Sequence, residues 1–183
     1  TPAPVPAAEG WVDPAEEALK GRYAVIPSTA TLKREVLLAM GGFPEGMRIG
    51  EDQWLWVRMM QQGAKFCFSP MSLVRYSRTA SNRSASIYRA ELSEHSIAEL
   101  RNALNSPTLN EYIARIAIGK AITQSLRGGT ADAAAVIATF SDTELNLRQL
   151  RRLKLLNAMP LWLRPTLDRL YSSLAWAIKR RGL

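Results

Sequence analysis

The order of apolar and polar positions changes character along the chain near residue 87. Before that point, short apolar runs alternate with glycine and proline, which is typical of short strands and helices joined by turns. Afterwards Glu, Leu, Ala, Arg and Ile dominate and a period of 3.6 residues takes over, which indicates helices. The pattern therefore predicts an α/β part followed by an α-helical C-terminal region, with helices dominating overall.

Three helices are predicted in the first part, each with a start or stop signal. Asp13 and Pro14 open the first helix as N-cap and first-turn proline, and glycines end all three. The helices are expected from residue 13 up to Gly21, over residues 32–40 and over residues 52–62. Strands are expected over residues 23–26, 65–69 and 73–76, where short β-branched or aromatic runs occur.

The second part is predicted to be helical from its apolar stripes. One stripe consists of Leu109, Tyr112, Ile113 and Ile116, and the other of Leu167, Leu170, Tyr171, Leu174 and Ile178. Helices are also expected over residues 131–140 and 144–156. Residues 1–10 hold three prolines among small residues and are predicted to be a flexible linker from something larger. The expected division is thus 1–10, 11–88 and 89–183.

Composition places the chain among ordinary globular proteins, since 47% of its residues are hydrophobic and 22% are charged. The formal charge of +8 is concentrated in residues 148–183, where nine basic residues accompany one acid, Asp168. A neutral body with a basic tail indicates a localised anionic partner rather than general nucleic-acid binding. The single histidine and single cysteine exclude an internal disulfide framework and a Cys/His metal site. Cys67, between two phenylalanines of a predicted strand, is expected to be buried.

Residues 28–76 contain an ordered set of short motifs. The motifs are Leu32-Lys33-Arg34-Glu35-Val36, Gly41-Gly42-Phe43, Gly50-Glu51-Asp52 and Leu55-Trp56-Val57-Arg58. In content and spacing the set resembles the acceptor-side half of family 2 glycosyltransferases, of the bacterial cell-envelope polysaccharide type. The resemblance implies that residues 11–88 form part of a GT-A fold, the nucleotide-diphospho-sugar transferase fold, in an inverting enzyme.

The resemblance also implies roles for the two acids of the third motif. Asp52 is the expected general base, which takes a proton from the acceptor hydroxyl as that oxygen attacks the anomeric carbon. At a helix N-terminus the positive end of the helix dipole keeps this carboxylate ionised, so it is a weak base that suffices if the proton moves late. Glu51 either orients the acceptor or the loop, or it is an acid of the helix-capping region.

An acceptor pocket is implied as well, with Gly41, Gly42, Phe43, Trp54 and Trp56 as its residues. The glycine pair would form the floor, where glycine permits a close approach, and the pair is also typical of a helix C-cap. The two tryptophans stand two positions apart on a predicted helix and cannot share a face. One of them is therefore expected in the core, and the other is a candidate for stacking on a sugar ring.

The donor-binding half of such enzymes carries an Asp-x-Asp motif that holds a divalent metal on the diphosphate, and this sequence lacks that half. A Mg or Mn cofactor is expected in the full-length enzyme with its ligands outside this chain, and the chain alone is expected to be inactive. Arg78 and Arg83 are candidates for binding the leaving diphosphate, the alternative being solvated loop arginines. The expected partners are a nucleotide-sugar donor, bound by the missing half, and a glycan or lipid-linked acceptor.

The basic tail, residues 148–183, combines aromatic and apolar residues with its cations. Its apolar stripe followed by basic residues suits a helix in the plane of an anionic bilayer, at the cytoplasmic side of the cytoplasmic membrane. The candidate membrane-surface residues are Trp162, Arg164, Trp176, Lys179, Arg180 and Arg181. Alternatively, the stripe packs on the preceding helices. No nucleic-acid partner is expected, because no recognisable reading motif is present.

A second function also fits the sequence. The chain could be a non-catalytic helical adaptor, or a membrane-surface binding module, that retains a degenerate transferase half. The two functions differ at Asp52, which carries the chemistry in the enzyme and only caps a helix in the adaptor.

Overall fold

The computed structural model describes residues 9–21, 25–47, 49–71, 74 and 96–180, with side chains up to Ser173. Helices dominate these residues, as predicted, and the described strands pair in one two-stranded sheet. Single turns of 3-10 helix lie at Pro27–Thr29 and Ile97–Leu100. The strands are β1 (Gly10–Val12) and β2 (Phe66–Phe68), and the helices are α1 (Pro14–Leu19), α2 (Arg34–Ala39), α3 (Glu51–Gln61), α4 (Pro107–Leu126), α5 (Thr130–Thr139), α6 (Leu147–Ala158) and α7 (Arg164–Arg180).

The chain divides into two compact units, unit 1 (Thr1–Ile113) and unit 2 (Ala114–Leu183). Unit 1 is built around α3, whose inward face is buried. Partly buried side chains from α2, from its C-cap and from β2 pack against that face and form a core cluster with it. The buried residues of α3 in this cluster are Leu55, Trp56 and Met59, and their neighbours include Val36, Leu37, Met40 and Phe66.

Glycine signals located the helices of unit 1 to within two residues. α2 occupies Arg34–Ala39 and ends just before Gly41, and α3 occupies Glu51–Gln61 and ends just before Gly63. In both cases the glycine has a positive φ, which a helix cannot continue through. The helices expected over 32–40 and 52–62 are therefore confirmed.

The strand predictions have mixed outcomes. The strand over 65–69 is confirmed as β2, whereas Val25 and Ile26 lie outside any strand and lead into the 3-10 turn that starts at Pro27. Proline at this first position favours a helical turn, because its ring fixes φ near the helical value. The predicted linker over 1–10 is also too long by one residue, since β1 begins at Gly10 and pairs antiparallel with β2. Apart from Val74, the strand predicted over 73–76 lies outside the described residues.

The expectation that Cys67 is buried is wrong. Phe66 and Phe68 are partly buried, so the alternation of side chains along β2 turns Cys67 to the opposite side of the sheet. There it is exposed and stands opposite Trp11 of β1, whose side chain is 73% exposed. The two phenylalanines, rather than the thiol, face the interior.

Unit 2 is organised around α6. Leu150, Leu153 and Leu156 recur every three residues and are all at most 2% exposed. α5 packs beside α6 and buries Ala133, and Phe140 at its C-cap is also buried. The helix over 131–140 is confirmed within one residue as α5.

The helix predicted from residue 144 starts at Leu147 instead. Asn146 precedes the first turn and is 3% exposed. Its side-chain amide donates to Thr143 Oγ1 at 3.3 Å, and its Oδ1 accepts from Arg115 Nε at 3.4 Å. These side-chain bonds anchor the segment before α6 in a non-helical conformation, which a count of apolar positions does not reveal.

Side chains of α7 contact α6 through polar groups. Arg152 of α6 donates to Asp168 Oδ1 from Nε at 2.9 Å and from Nη2 at 2.5 Å. The Tyr171 hydroxyl donates to the Arg148 carbonyl at 3.3 Å. The Arg152 guanidinium lies 5.2 Å from the centre of the Tyr171 ring. Tyr171 of the second apolar stripe thus packs on a preceding helix, as the alternative prediction has it, whereas Leu170 is 56% exposed.

Candidate functional site

The candidate site lies at the N-terminal end of α3. Gly50, immediately before the helix, has φ 84° and ψ 14°, a left-handed conformation that glycine adopts without strain. Its carbonyl accepts the first helical hydrogen bond, from Trp54 N at 2.9 Å. Glu51 and Asp52 therefore fall in the first turn, where acids interact favourably with the helix dipole.

Asp52 is half-buried and its carboxylate is turned back toward the helix. Its Oδ1 accepts a hydrogen bond from the backbone N–H of Gln53 at 2.8 Å. Glu51, beside it, is also half-buried. The two acids share one turn, as predicted, and the carboxylate of Asp52 is held by a backbone donor as well as by the position of the residue on the helix.

The glycine pair after α2 forms a helix C-cap. Gly41 and Gly42 have φ values of 79° and 75°. The Gly42 N–H donates to the Leu37 carbonyl and the Gly41 N–H to the Leu38 carbonyl, both at 3.0 Å. A Cβ added at either glycine would meet nothing within 4 Å. The C-cap prediction is confirmed, and the need for glycine comes from the backbone conformation rather than from a close neighbour.

Phe43, which follows the glycine pair, connects this turn to α3. Its ring lies edge-on to Trp56, with ring centres 6.4 Å apart and an angle of 77° between the planes. Trp56 is four residues after Asp52, so the two side chains emerge on the same face of α3, one turn apart. Phe43 is 43% exposed. An accessible aromatic ring thus packs against the residue that stands one helical turn after Asp52.

The two tryptophans of α3 have different environments. Trp56 is 1% exposed and belongs to the core of unit 1, which confirms that one of the two lies in the core and corrects the inclusion of Trp56 in the implied acceptor pocket. Trp54 is half-buried, and the Arg58 guanidinium lies 5.1 Å from its ring centre, an i to i+4 pair along the helix. Trp54 is therefore the tryptophan that remains a candidate for contact with a ligand.

A cleft lies elsewhere in unit 1, near the C-terminal end of α3. It has a volume of about 500 Å³, within the range of small-molecule sites. Met60, Phe66 and Leu109 give it apolar walls, and Trp11 and Lys65 contribute an indole ring and a cation, with the Lys65 Nζ 6.0 Å from the ring centre. None of the predicted site residues lines this cleft.

Arg164 is the predicted membrane-surface residue that the structure places inside the protein. It is 5% exposed, so its assignment to a surface is wrong. Its Nη1 donates to the Ser125 carbonyl at 2.7 Å, its Nε to the Met159 carbonyl at 2.8 Å and its Nη2 to the Asn157 carbonyl at 3.2 Å. The guanidinium is a structural link among backbone carbonyls. Nothing in the sequence indicated which carbonyls Arg164 would meet.

Other predicted residues are exposed or fall outside the description. Trp162 is 78% exposed. Arg78, Arg83 and Arg181 lie outside the described residues, and so do the side chains of Trp176, Lys179 and Arg180. Over the described part of the chain, no three His, Cys, Asp or Glu side chains come together as a metal ion would require, and no helix there is both long and apolar enough to cross a bilayer.

Comparison with protein-family models, with curated proteins and with solved structures finds no match to this chain.

Proposed function

We propose that this chain is the acceptor-binding and catalytic-base portion of an inverting glycosyltransferase with a partial GT-A fold. The enzyme would move a sugar from a nucleotide-sugar to a glycan or lipid-linked acceptor. One observation carries the proposal: the accessible Phe43 ring packs against Trp56, which stands one helical turn after Asp52 on α3. An aromatic ring and a carboxylate are groups that match a sugar, which offers an apolar ring face and hydroxyl groups.

In this mechanism Asp52 accepts the proton of one acceptor hydroxyl. The acceptor oxygen forms a bond to the anomeric carbon of the donor sugar, and the bond from that carbon to the nucleoside diphosphate breaks, its electron pair leaving with the diphosphate. Phe43 supports the acceptor ring, and Trp54 is placed for a further contact. Glu51, in the same turn as Asp52, orients the acceptor or the loop.

The donor site belongs to residues outside this chain in the proposal. A Mg or Mn ion would be held there on the diphosphate and would neutralise the charge of the leaving group. Among the described residues Glu51 and Asp52 are not joined by a third possible ligand, so they do not fit as its binding site. Arg78 and Arg83 remain proposed contacts of the diphosphate, and the chain alone is proposed to be inactive.

The test is Asp52→Asn in a polypeptide that also carries a donor-binding half. We expect the substitution to lower sugar transfer by at least about 10²-fold, the lower limit for loss of a general base, while nucleotide-sugar affinity stays unchanged. Asp132→Asn is the matched control, because Asp132 is also a half-buried acid in the first turn of a helix, α5. Transfer retained by Asp52→Asn would remove Asp52 from the mechanism.

The adaptor function has one observation in its favour, which is the hydrogen bond from the Gln53 N–H to Asp52 Oδ1. If Asp52 serves only the helix, Asp52→Asn and Asp132→Asn should have the same modest effect on stability. The polypeptide that also carries a donor-binding half should then show no sugar transfer even without a substitution. Sugar transfer by that unsubstituted polypeptide would exclude the adaptor.

A further inference from the structure

The net charge of the protein is divided unequally between its two units. Unit 1 has 12 basic and 12 acidic residues, and unit 2 has 12 basic and four acidic residues. Unit 2 therefore carries the whole formal charge of +8. A charge of one sign confined to one folded unit attracts an anionic partner to that unit.

The outward face of α6 carries part of this charge together with apolar side chains. The inward stripe of α6 is already complete, since its three leucines are buried. On the other side of the helix, Leu147 is 42% and Leu155 is 47% exposed, next to three exposed cations. We call this surface the basic-apolar face of α6; its residues are Leu147, Arg148, Arg151, Lys154 and Leu155.

The turn between α6 and α7 adds two further exposed apolar side chains. Leu161 is 49% exposed and Trp162 is 78% exposed, so nearly the whole indole is accessible. At the start of α7, Arg169 is exposed and Leu170 is 56% exposed. Cations and apolar groups are thus interspersed along the segment rather than separated into two faces.

The one acid of residues 148–183 does not offset these cations at the surface. Asp168 is bound by the Arg152 guanidinium through two hydrogen bonds to the same oxygen, and its side chain is 20% exposed. The internal ion pair consumes one cation and the only acid. The exposed charges of the described segment are therefore basic.

We propose that the basic-apolar face of α6, with Leu161 and Trp162, docks on the surface of an anionic lipid bilayer. Lipid phosphates would meet the Arg and Lys side chains, and the indole and leucine side chains would enter the interfacial layer, where Trp is favoured. A nucleic acid would use the cations and would offer bases to stack on the Trp162 indole, but it would leave Leu155 and Leu161 without an apolar partner. This inference concerns unit 2 and does not depend on the proposed transfer reaction.

The test uses the purified chain and sedimentation with vesicles of phosphatidylcholine, with and without phosphatidylglycerol. We expect binding only to the vesicles that contain phosphatidylglycerol, and weaker binding as salt is added, because screening shortens the reach of the cations. Equal binding to both vesicle types, or anionic-vesicle binding that ignores salt, would overturn the proposal.

Charge variants with a matched control locate the surface. Arg151→Glu/Lys154→Glu should lower vesicle affinity by at least about 25-fold, since each cation near an anionic surface contributes about a factor of five. Lys33→Glu/Arg34→Glu makes the same change in net charge at exposed positions of unit 1 and should have little effect. Equal losses in both variants would show attraction by net charge alone and would refute a docking face.

A second pair of variants tests the apolar contact. Trp162→Ala should lower affinity roughly tenfold, because the indole leaves water on docking. Trp11→Ala is its control, since Trp11 is 73% exposed in unit 1. Loss of binding in both variants would contradict the assignment. Tighter binding to a single-stranded oligonucleotide than to anionic vesicles would identify a nucleic-acid surface instead.

Discussion

At the residue scale, the backbone conformation of Gly41 explains why the turn after α2 requires glycine. Its φ of 79° is left-handed, and a Cβ there would stand in open space. An L-residue loses about 1–2 kcal/mol in this conformation even when nothing obstructs its side chain. Gly119 is the opposite case, because it lies within α4 with ordinary backbone dihedrals and equally open surroundings.

Alanine at these two glycines should therefore change stability in opposite directions. We expect Gly41→Ala to lower the free energy of unfolding by about 1 kcal/mol. Gly119→Ala should raise it by about 0.5–1 kcal/mol, because alanine is the better helix former and loses less backbone freedom on folding. Urea denaturation followed by circular dichroism measures both changes. Stabilisation by Gly41→Ala would contradict the left-handed cap.

The sequence predicts the positions of some candidate site residues but not of others. Glu51, Asp52 and the glycine pair have local signals, a helix start and a helix stop, and their positions agree with the prediction. The choice between Trp54 and Trp56 could not be made, because it depends on which face of α3 meets α2. The contact between α2 and α3 is a tertiary one, and the spacing of residues within α3 does not predict it.

At the scale of elements, local signals again succeed and pairing between distant segments fails. α2 and α3 end just before Gly41 and Gly63, and α5 ends before the turn that starts at Phe140. β1 and β2 are three residues each, too short for an alternation pattern, and they pair across more than 50 residues. Nothing local therefore indicated that residues 10–12 form a strand, or that Cys67 faces outward with Trp11.

Among the contacts between elements, Arg164 joins the start of α7 to the C-terminal ends of α4 and α6. The last carbonyls of an α-helix lack partners within the helix. Arg164, at the start of α7, donates to Ser125 in the last turn of α4 and to Asn157 in the last turn of α6. It also donates to Met159, the C-cap of α6. The planar guanidinium spreads its N–H donors over three nitrogens in a rigid fork that spans these carbonyls, whereas a lysine ammonium carries its three donors on one nitrogen.

Arg164→Met should consequently destabilise the protein by at least about 3 kcal/mol, because three carbonyls, among them the buried Ser125 carbonyl, lose the guanidinium donor together. We expect Arg164→Lys to recover less than half of that loss. Arg169→Met is the control on the same helix; Arg169 is exposed, and its replacement should stay within about 0.5 kcal/mol of the unsubstituted protein. Thermal and urea denaturation provide the measurement, and equal stability of the Arg164→Met and Arg169→Met variants would refute the structural role.

At the scale of the whole molecule, the division of charge agrees with the division into units. Residues 114–147 hold three basic and three acidic residues, so the basic tail that begins at residue 148 accounts for the entire charge of unit 2. The candidate site lies in the neutral unit and the proposed membrane surface in the basic one. Charge counting could anticipate this, because it needs no knowledge of long-range contacts.

Like charges within one folded unit repel, so unit 2 should be stabilised by low concentrations of salt and unit 1 should not. Raising NaCl from about 0.01 M to about 0.1 M shortens the screening length from roughly 30 Å to roughly 10 Å. Both concentrations are below those at which salt strongly affects hydrophobic burial. Salt also weakens the Arg152–Asp168 attraction, but that is one partly buried pair against a net excess of eight charges.

Hydrogen exchange resolved by peptide separates the two units in one sample. We expect the amides of α5 and α6 to exchange more slowly at the higher salt concentration, while those of α3 exchange at the same rate. Arg151→Glu/Lys154→Glu reduces the excess charge of unit 2 by half and should reduce its response to salt. Lys33→Glu/Arg34→Glu should leave that response unchanged. Equal protection of α3 and α6 by salt would show a general effect of the solvent, and self-repulsion in unit 2 would then be refuted.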